Sequence, residues 1–189
     1  MSDPSDVAPY RDIPEAHSAA IGRVANAWAN LEFEIDLTIW ALMGVPQMMS
    51  ACVTAQLMSI HPRLKALKAL IETVTGSAKL AREVGEFAGK ISGLVEARNR
   101  AVHDPRMVLV ADDTVERLEI TAQKGLSFGF QPESREDLEK TEANIKDRIK
   151  RFRALKARIL DLHASLPKER RPKLRKISQV PMDREAPTS

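Results

Sequence analysis

The chain has 189 residues, 43% of them hydrophobic and 4% aromatic, with a formal net charge of +3. One domain with a sizeable core is the expectation at this length. Lys/Arg (29) and Asp/Glu (26) nearly balance, so global charge does not announce a nucleic-acid binder, and the lone Cys52 excludes an intrachain disulfide. That cysteine usage, with no signal-peptide pattern at the start, fits a reducing cytosol and a cytoplasmic protein.

Residues 1–13 read as a flexible leader, punctuated by Pro4 and Pro9 and rich in turn formers. A domain over 14–166 follows. Its first helix runs from about Glu15 to Met43, with Ile21, Val24, Trp28, Leu31, Ile35, Ile39 and Leu42 on one stripe. Gly44 and Pro46 end it. Leu37 to Ile60 carries no charge for 24 residues, which is long enough to span a bilayer. Gly44, Pro46 and several hydroxyl and amide side chains interrupt that run. It is read instead as two buried helix segments joined by a turn, the second covering Gln47 to Met58, with no membrane partner. Met43, Met48, Met49 and Met58 are expected to fill gaps in the core, and Trp28 and Trp40 to be core residues.

Pro62 suits the first turn of a third helix, which carries Leu64, Leu67, Leu70, Ile71 and Val74 and closes at Gly76. Ser77 can cap a fourth helix with Leu80, Val84, Phe87, Ile91, Leu94, Arg98 and Val102 on its stripe. Pro105 disfavours helical geometry at Asp104, so this helix should end near His103. The period then changes to alternation around Val108, Leu118, Ile120, Leu126, Phe128 and Phe130. A small antiparallel insertion of two or three strands is expected over about 107–130, with turns at Asp112-Asp113 and Lys124-Gly125. A long last helix spans about 134–166. Its Leu138, Ile145, Phe152, Ile159 and Leu166 recur every seven residues. Such a stripe either packs along its own bundle or forms a dimer arm. Residues 167–189 read as a basic disordered tail, with seven Lys/Arg against three Asp/Glu.

The chemistry concentrates in residues 96–105, Glu-Ala-Arg-Asn-Arg-Ala-Val-His-Asp-Pro. Arg98 sits on an apolar stripe, where a charge needs a partner or a task. Asn99 and His103 are four apart and share a helix face. Arg98 and His103 are five apart, roughly 140° around the axis. They converge only if the helix ends at His103, or if two copies meet across a twofold axis. Histidine moves protons near neutral pH, and arginine grips phosphate with a planar fork. Together these residue types suit metal-independent RNA cleavage, with attack by the ribose 2′-hydroxyl on the adjacent phosphate. The structural alternative is an Arg98 paired with Glu32 or Asp36 and a His103 that caps the helix. A basic run, Lys146, Arg148, Lys150, Arg151, Arg153, Lys156 and Arg158, opposes only Asp147 over that stretch. It reads either as an RNA-tracking surface or as a solvated helix face. No metal-ligand spacing, glycine-rich phosphate loop or cofactor motif is present.

Arg98-Asn99-Arg100-Ala101-Val102-His103 resembles the Arg-x4–6-His signature of the HEPN superfamily, in which Asn often follows the Arg. Ile21 to Glu32, with its Trp28-x-x-Leu31-Glu32, is similar to the first helix of HEPN-like bacterial proteins. The likeness covers about residues 15–105. It implies an all-α HEPN-like bundle, here with a small β insertion and a long C-terminal helix, that forms a homodimer with two motifs facing a shared cleft. It further implies an endoribonuclease of toxin–antitoxin, phage-defence or RNA-processing type, using no cofactor, with Arg98, Asn99 and His103 as catalytic residues. Glu32, or else Asp36 or Glu96, would support them. RNA, contacted also by Arg100, Lys146, Lys150, Arg151 and Arg153, would be the substrate, and an antitoxin or regulatory protein a partner. Other members of the superfamily are non-catalytic modules that bind protein or nucleic acid, which is the alternative reading. A regulator using the tail on DNA is a third. Asp104 stands where the family often has a small residue.

Overall fold

The computed structural model describes residues 10–109, 114–121 and 126–167. In chain order these form β1 (Tyr10–Arg11), α1 (Glu15–Met43), α2 (Gln47–Thr54), α3 (Ile60–Thr75), α4 (Ala78–His103), β2 (Arg106–Leu109), β3 (Val115–Thr121), β4 (Ser127–Pro132) and α5 (Arg135–Ser165). The fold is mostly helical with a small antiparallel sheet. The tail from residue 168 onward and the two turn signals at 112–113 and 124–125 lie outside the described residues.

Local chemistry sets the helix ends. Gly44 and Gly76 stop α1 and α3 at φ 65° and 70°, in the left-handed region that glycine enters without a Cβ clash. The Ser77 hydroxyl accepts from Leu80 N, and Ser134 forms a capping box with Asp137. Pro105 holds Asp104 extended at ψ 133°, so α4 stops at His103.

The core lies between α1, α3, α4 and α5. Val24, Trp28, Leu31, Ile35, Ile39 and Leu42 of α1 are buried, as the stripe predicts. Trp40 packs against that core and donates to Thr54 Oγ1. Across from α1, α5 buries Leu138, Ile145, Ile149, Phe152, Leu155 and Ile159. Arg23 meets Glu139 and Glu142 near one end, and Glu34 meets Arg153 and Lys156 farther along, so α1 and α5 run parallel. Phe87 stacks on Phe152 at 5.3 Å and Glu83 pairs with Arg158, so α4 runs antiparallel to α5. The seven-residue stripe is therefore consumed within its own chain, and the dimer-arm reading of α5 does not hold.

Two further expectations are corrected. The segment after Gly44 is not buried: α2 is eight residues long and seals only Ser50 and Thr54. Met48 and Met49 are 80% and 60% exposed rather than filling the core, because a two-turn helix held through Thr54 leaves its other sides in water, and Met58, in the turn after α2, is 91% exposed. Leader residues Tyr10 and Arg11 pair with Leu109 and Val108, adding a fourth strand in the order β1-β2-β3-β4. No helix among the described residues is long and apolar enough to cross a membrane. In the hairpin, Leu118 opposes Phe130 and Ile120 opposes Phe128. Ile120, Phe128 and Phe130 are exposed on that face. The alternate residues Arg117 and Glu119 reach Asp104 and Arg100 at the end of α4.

Candidate functional site at the end of α4

Leu80, Val84, Phe87 and Ile91 of the α4 stripe are buried, Leu94 only partly, and Arg98 and Val102 are half-buried. The stripe thus leaves the core just as it reaches Arg98. Arg98 Nη1 donates to Asn99 Oδ1 at 3.0 Å and lies 3.3 Å from His103 Nε2. A guanidinium has donors only, so Nε2 must be the acceptor and the ring proton belongs on Nδ1. Arg98 Nε is buried without a hydrogen-bond partner. Among the described residues no carboxylate pairs with Arg98.

The three motif residues therefore converge within one chain. Of the two sequence-level conditions, a helix that ends at His103 is the one met, so a second copy is not needed to bring Arg98 to His103. Asn99 orients the guanidinium rather than the imidazole, since its contact is with Arg98.

The supporting carboxylates are held elsewhere. Glu32 accepts from Trp28 Nε1 at 3.1 Å. Asp36 pairs with Arg63, although burial outweighs that cation and holds its carboxyl above the ordinary aspartate range. Neither contacts Arg98, so the expected Arg98 ion pair does not form. Glu96, exposed, lines a cavity of about 280 Å³ with Ala97, Arg100, Arg117 and Thr141, on the side of α4 that faces α5. Arg98, Asn99 and His103 do not line it.

The basic surface is largely neutralised. Arg100 pairs with Glu119, whose carboxyl is held low chiefly by that hydrogen bond. Lys146 pairs with Glu142, Arg151 with Asp147, and Arg153 and Lys156 both with Glu34. Burial raises the Glu34 carboxyl, but the two cations outweigh it and hold it below the usual range. Among the described residues, Arg148 and Lys150 of the basic run on α5 lack an ion pair, and Arg148 Nε is buried without a hydrogen-bond partner. Asp147 and Glu142 lie on α5 itself, whereas Glu34 on α1, Glu83 on α4 and Glu119 on β3 are distant in sequence from the cations they meet.

Sequence reasoning missed a buried cluster directly beneath the motif. Arg106 grips Glu133 through Nε and Nη2, and His17 Nε2 lies 3.1 Å from Glu133 Oε2. Side-chain exposures of Arg106, Glu133 and His17 are 5%, 9% and 5%. Burial raises the Glu133 carboxyl, but hydrogen bonds from Arg106 and His17 outweigh it and hold it below the ordinary range. A cation just past a helix end was a readable cue for Arg106. Nothing local pointed to Glu133 or His17, whose pairing spans over a hundred residues. Asp104, the departure from the family pattern, lies 3.6 Å from Arg117, which offsets its charge beside the motif.

Among the described residues no group of three or more His, Cys, Asp or Glu is arranged to hold a metal. Comparison with known proteins finds no matching family model, no matching curated protein and no matching solved structure.

Proposed function

We propose that the chain is a HEPN-type, metal-independent endoribonuclease with a toxin- or defence-like role, and that Arg98, Asn99 and His103 carry the reaction. The observation behind this is the meeting of Arg98 Nη1 with His103 Nε2 at the end of α4, by a guanidinium that has no carboxylate partner among the described residues. A neutral imidazole with its lone pair on Nε2 is the form a general base needs. Phosphate is a stronger acceptor for guanidinium than imidazole is, so a bound phosphodiester draws Arg98 onto its oxygens and frees Nε2. His103 then takes the proton of the 2′-hydroxyl as its oxygen attacks phosphorus. The bond to the 5′ oxygen breaks and that oxygen takes a proton from water, while His103 returns its own to solvent, leaving a 2′,3′-cyclic phosphate and a 5′-hydroxyl. Arg98 stabilises the charge that grows on the phosphoryl oxygens, and Asn99 keeps its guanidinium turned toward the site.

The test incubates purified protein with mixed RNA and excess EDTA, beside His103→Ala and Arg98→Ala. Chelator-resistant cleavage should fall at least about 100-fold in each variant, the scale of a lost acid–base or charge-stabilising group. Background cleavage unchanged in both variants sinks the enzyme reading and favours a non-catalytic binding module. That module reading draws on the exposed Phe33, Met48, Met49, Val53 and Met58 of the α1–α2 region, an apolar surface of the kind that marks protein contacts. The same surface supports the homodimer in this proposal. Light scattering should give twice the chain mass, and a strict monomer removes the dimer without touching the chemistry.

A further inference from the structure

Arg106 is the first residue of β2, three positions after His103, yet its guanidinium turns back under α4. The last carbonyls of a helix have no partner within it and carry partial negative charge. Arg106 donates to two carbonyls at this end, with Nη1 on Asp104 O at 2.8 Å and Nη2 on Arg100 O at 3.2 Å, the latter also accepting from Asp104 N. The remaining edge of the same fork is spent on both oxygens of Glu133. Glu133 immediately precedes Ser134, the N-cap of α5, and its backbone N–H bonds Val115 O at 3.0 Å. His17, in the first turn of α1, holds the second side of that carboxylate. One guanidinium thus ties the end of α4 to β3, to the start of α5 and to the start of α1.

This tether matters for the motif because Arg98 and His103 do not share a helix face. Their contact depends on where the last turn of α4 lies and on the chain leaving helical geometry at Asp104. Pro105 ensures the departure, but it does not set the position of the last turn. Arg106 does, because it holds carbonyls on both sides of His103, at Arg100 and Asp104. Lysine could supply the charge at this place but not four simultaneous bonds in one plane.

We propose that Arg106, clamped by Glu133 and His17, is the positioning residue of the α4 motif: it fixes the last helical turn and so sets His103 Nε2 against Arg98. Arg106 does not face the motif side chains and has no part in proton transfer. Its effect is read through the imidazole of His103.

The experiment follows the four histidine rings by long-range ¹H–¹⁵N NMR at neutral pH in the full chain, where protonated and bare ring nitrogens give well-separated signals. In the native protein His103 should show the Nδ1–H tautomer with Nε2 bare. A native His103 with its proton on Nε2 overturns the geometry without any variant. Arg106→Lys should move the His103 signals to those of an unconstrained imidazole. The exposed His61 on α3, remote from the cluster, should stay unchanged. Circular dichroism confirms that the helices remain. His103 signals unchanged in a folded Arg106→Lys protein overturn the proposal. If that variant does not fold, Glu133→Gln keeps the guanidinium and weakens its clamp, and it should give the same change in part; no change there also overturns it. The readout is the ring itself, so it stands whether or not the chain cleaves RNA.

Discussion

Arg98 and Arg106 lie at the same end of α4 and are held in opposite ways. Arg106 is 5% exposed, and its fork ends on a carboxylate, on the Arg100 carbonyl of the last helical turn and on the carbonyl of Asp104 just past it. Arg98 is half-buried and, among the described residues, keeps a buried Nε without a partner and leans only on Asn99 and His103. A desolvated cation without a counter-charge costs stability, so a fold ordinarily resolves it as it does Arg106. Arg98 is only partly withdrawn from water, with its Nε alone buried and unpartnered, and it lies beside a proton-carrying ring. The difference separates a cation that holds the scaffold from one that is available to an anion.

Substitution tests that separation most sharply. Arg106→Met leaves the buried Glu133 carboxylate without its main partner and should cost about 3–5 kcal/mol in chemical denaturation. Arg98→Met removes a cation that lacks a carboxylate and should stay within about 1 kcal/mol of the native chain. Similar losses in the two variants would break the contrast. Anion binding comes next in size. Sulfate at about ten times its dissociation constant should stabilise the native chain by about 1.4 kcal/mol and leave Arg98→Met unmoved. Equal stabilisation of both would place the anion elsewhere.

The pH dependence of stability sharpens the same point through two carboxylates. Glu133 titrates lower folded than unfolded, so its contribution is present above the reference value of 4.5 and is lost as pH falls through the folded value. Glu133→Gln should therefore lose most relative to the native chain near neutrality and least in acid. Asp36 titrates higher folded than unfolded, since burial outweighs Arg63. Its contribution is complete below the reference value of 3.8 and is lost as pH rises through the folded value. Asp36→Asn should run in the opposite direction, doing relatively best near neutrality. Parallel profiles for the two variants would contradict the assignment. The smallest effect belongs to the surface. Arg151→Ala removes an exposed (i, i+4) pair with Asp147 and should change stability by no more than about 0.5 kcal/mol.

Much of the scaffold was legible because its signals are local. Gly44 and Pro105 mark where α1 and α4 end, and Ser77 and Ser134 mark where α4 and α5 begin. The stripes of α1 and α5 named most of the residues that are buried. Reading went astray where burial depends on a partner element. The methionines around α2 are apolar but stay exposed, because nothing described packs over that short helix. The basic run of α5 looked uncompensated because Glu34 and Glu83 lie far away in sequence. Tyr10 and Arg11 had no strand signal of their own and pair only because β2 is there to receive them.

The sequence by itself determined the residues of the candidate site and the point where their helix stops. Proline and glycine act on their own backbone, and a helical stripe needs no knowledge of what covers it. The tertiary structure decided the rest. It brought Arg98 to His103 within one chain, withheld Glu32 and Asp36 from them, and set Arg106, Glu133 and His17 beneath the last turn of α4. Those outcomes depend on which charges end up desolvated together, and that is settled only when helices distant in sequence pack against one another.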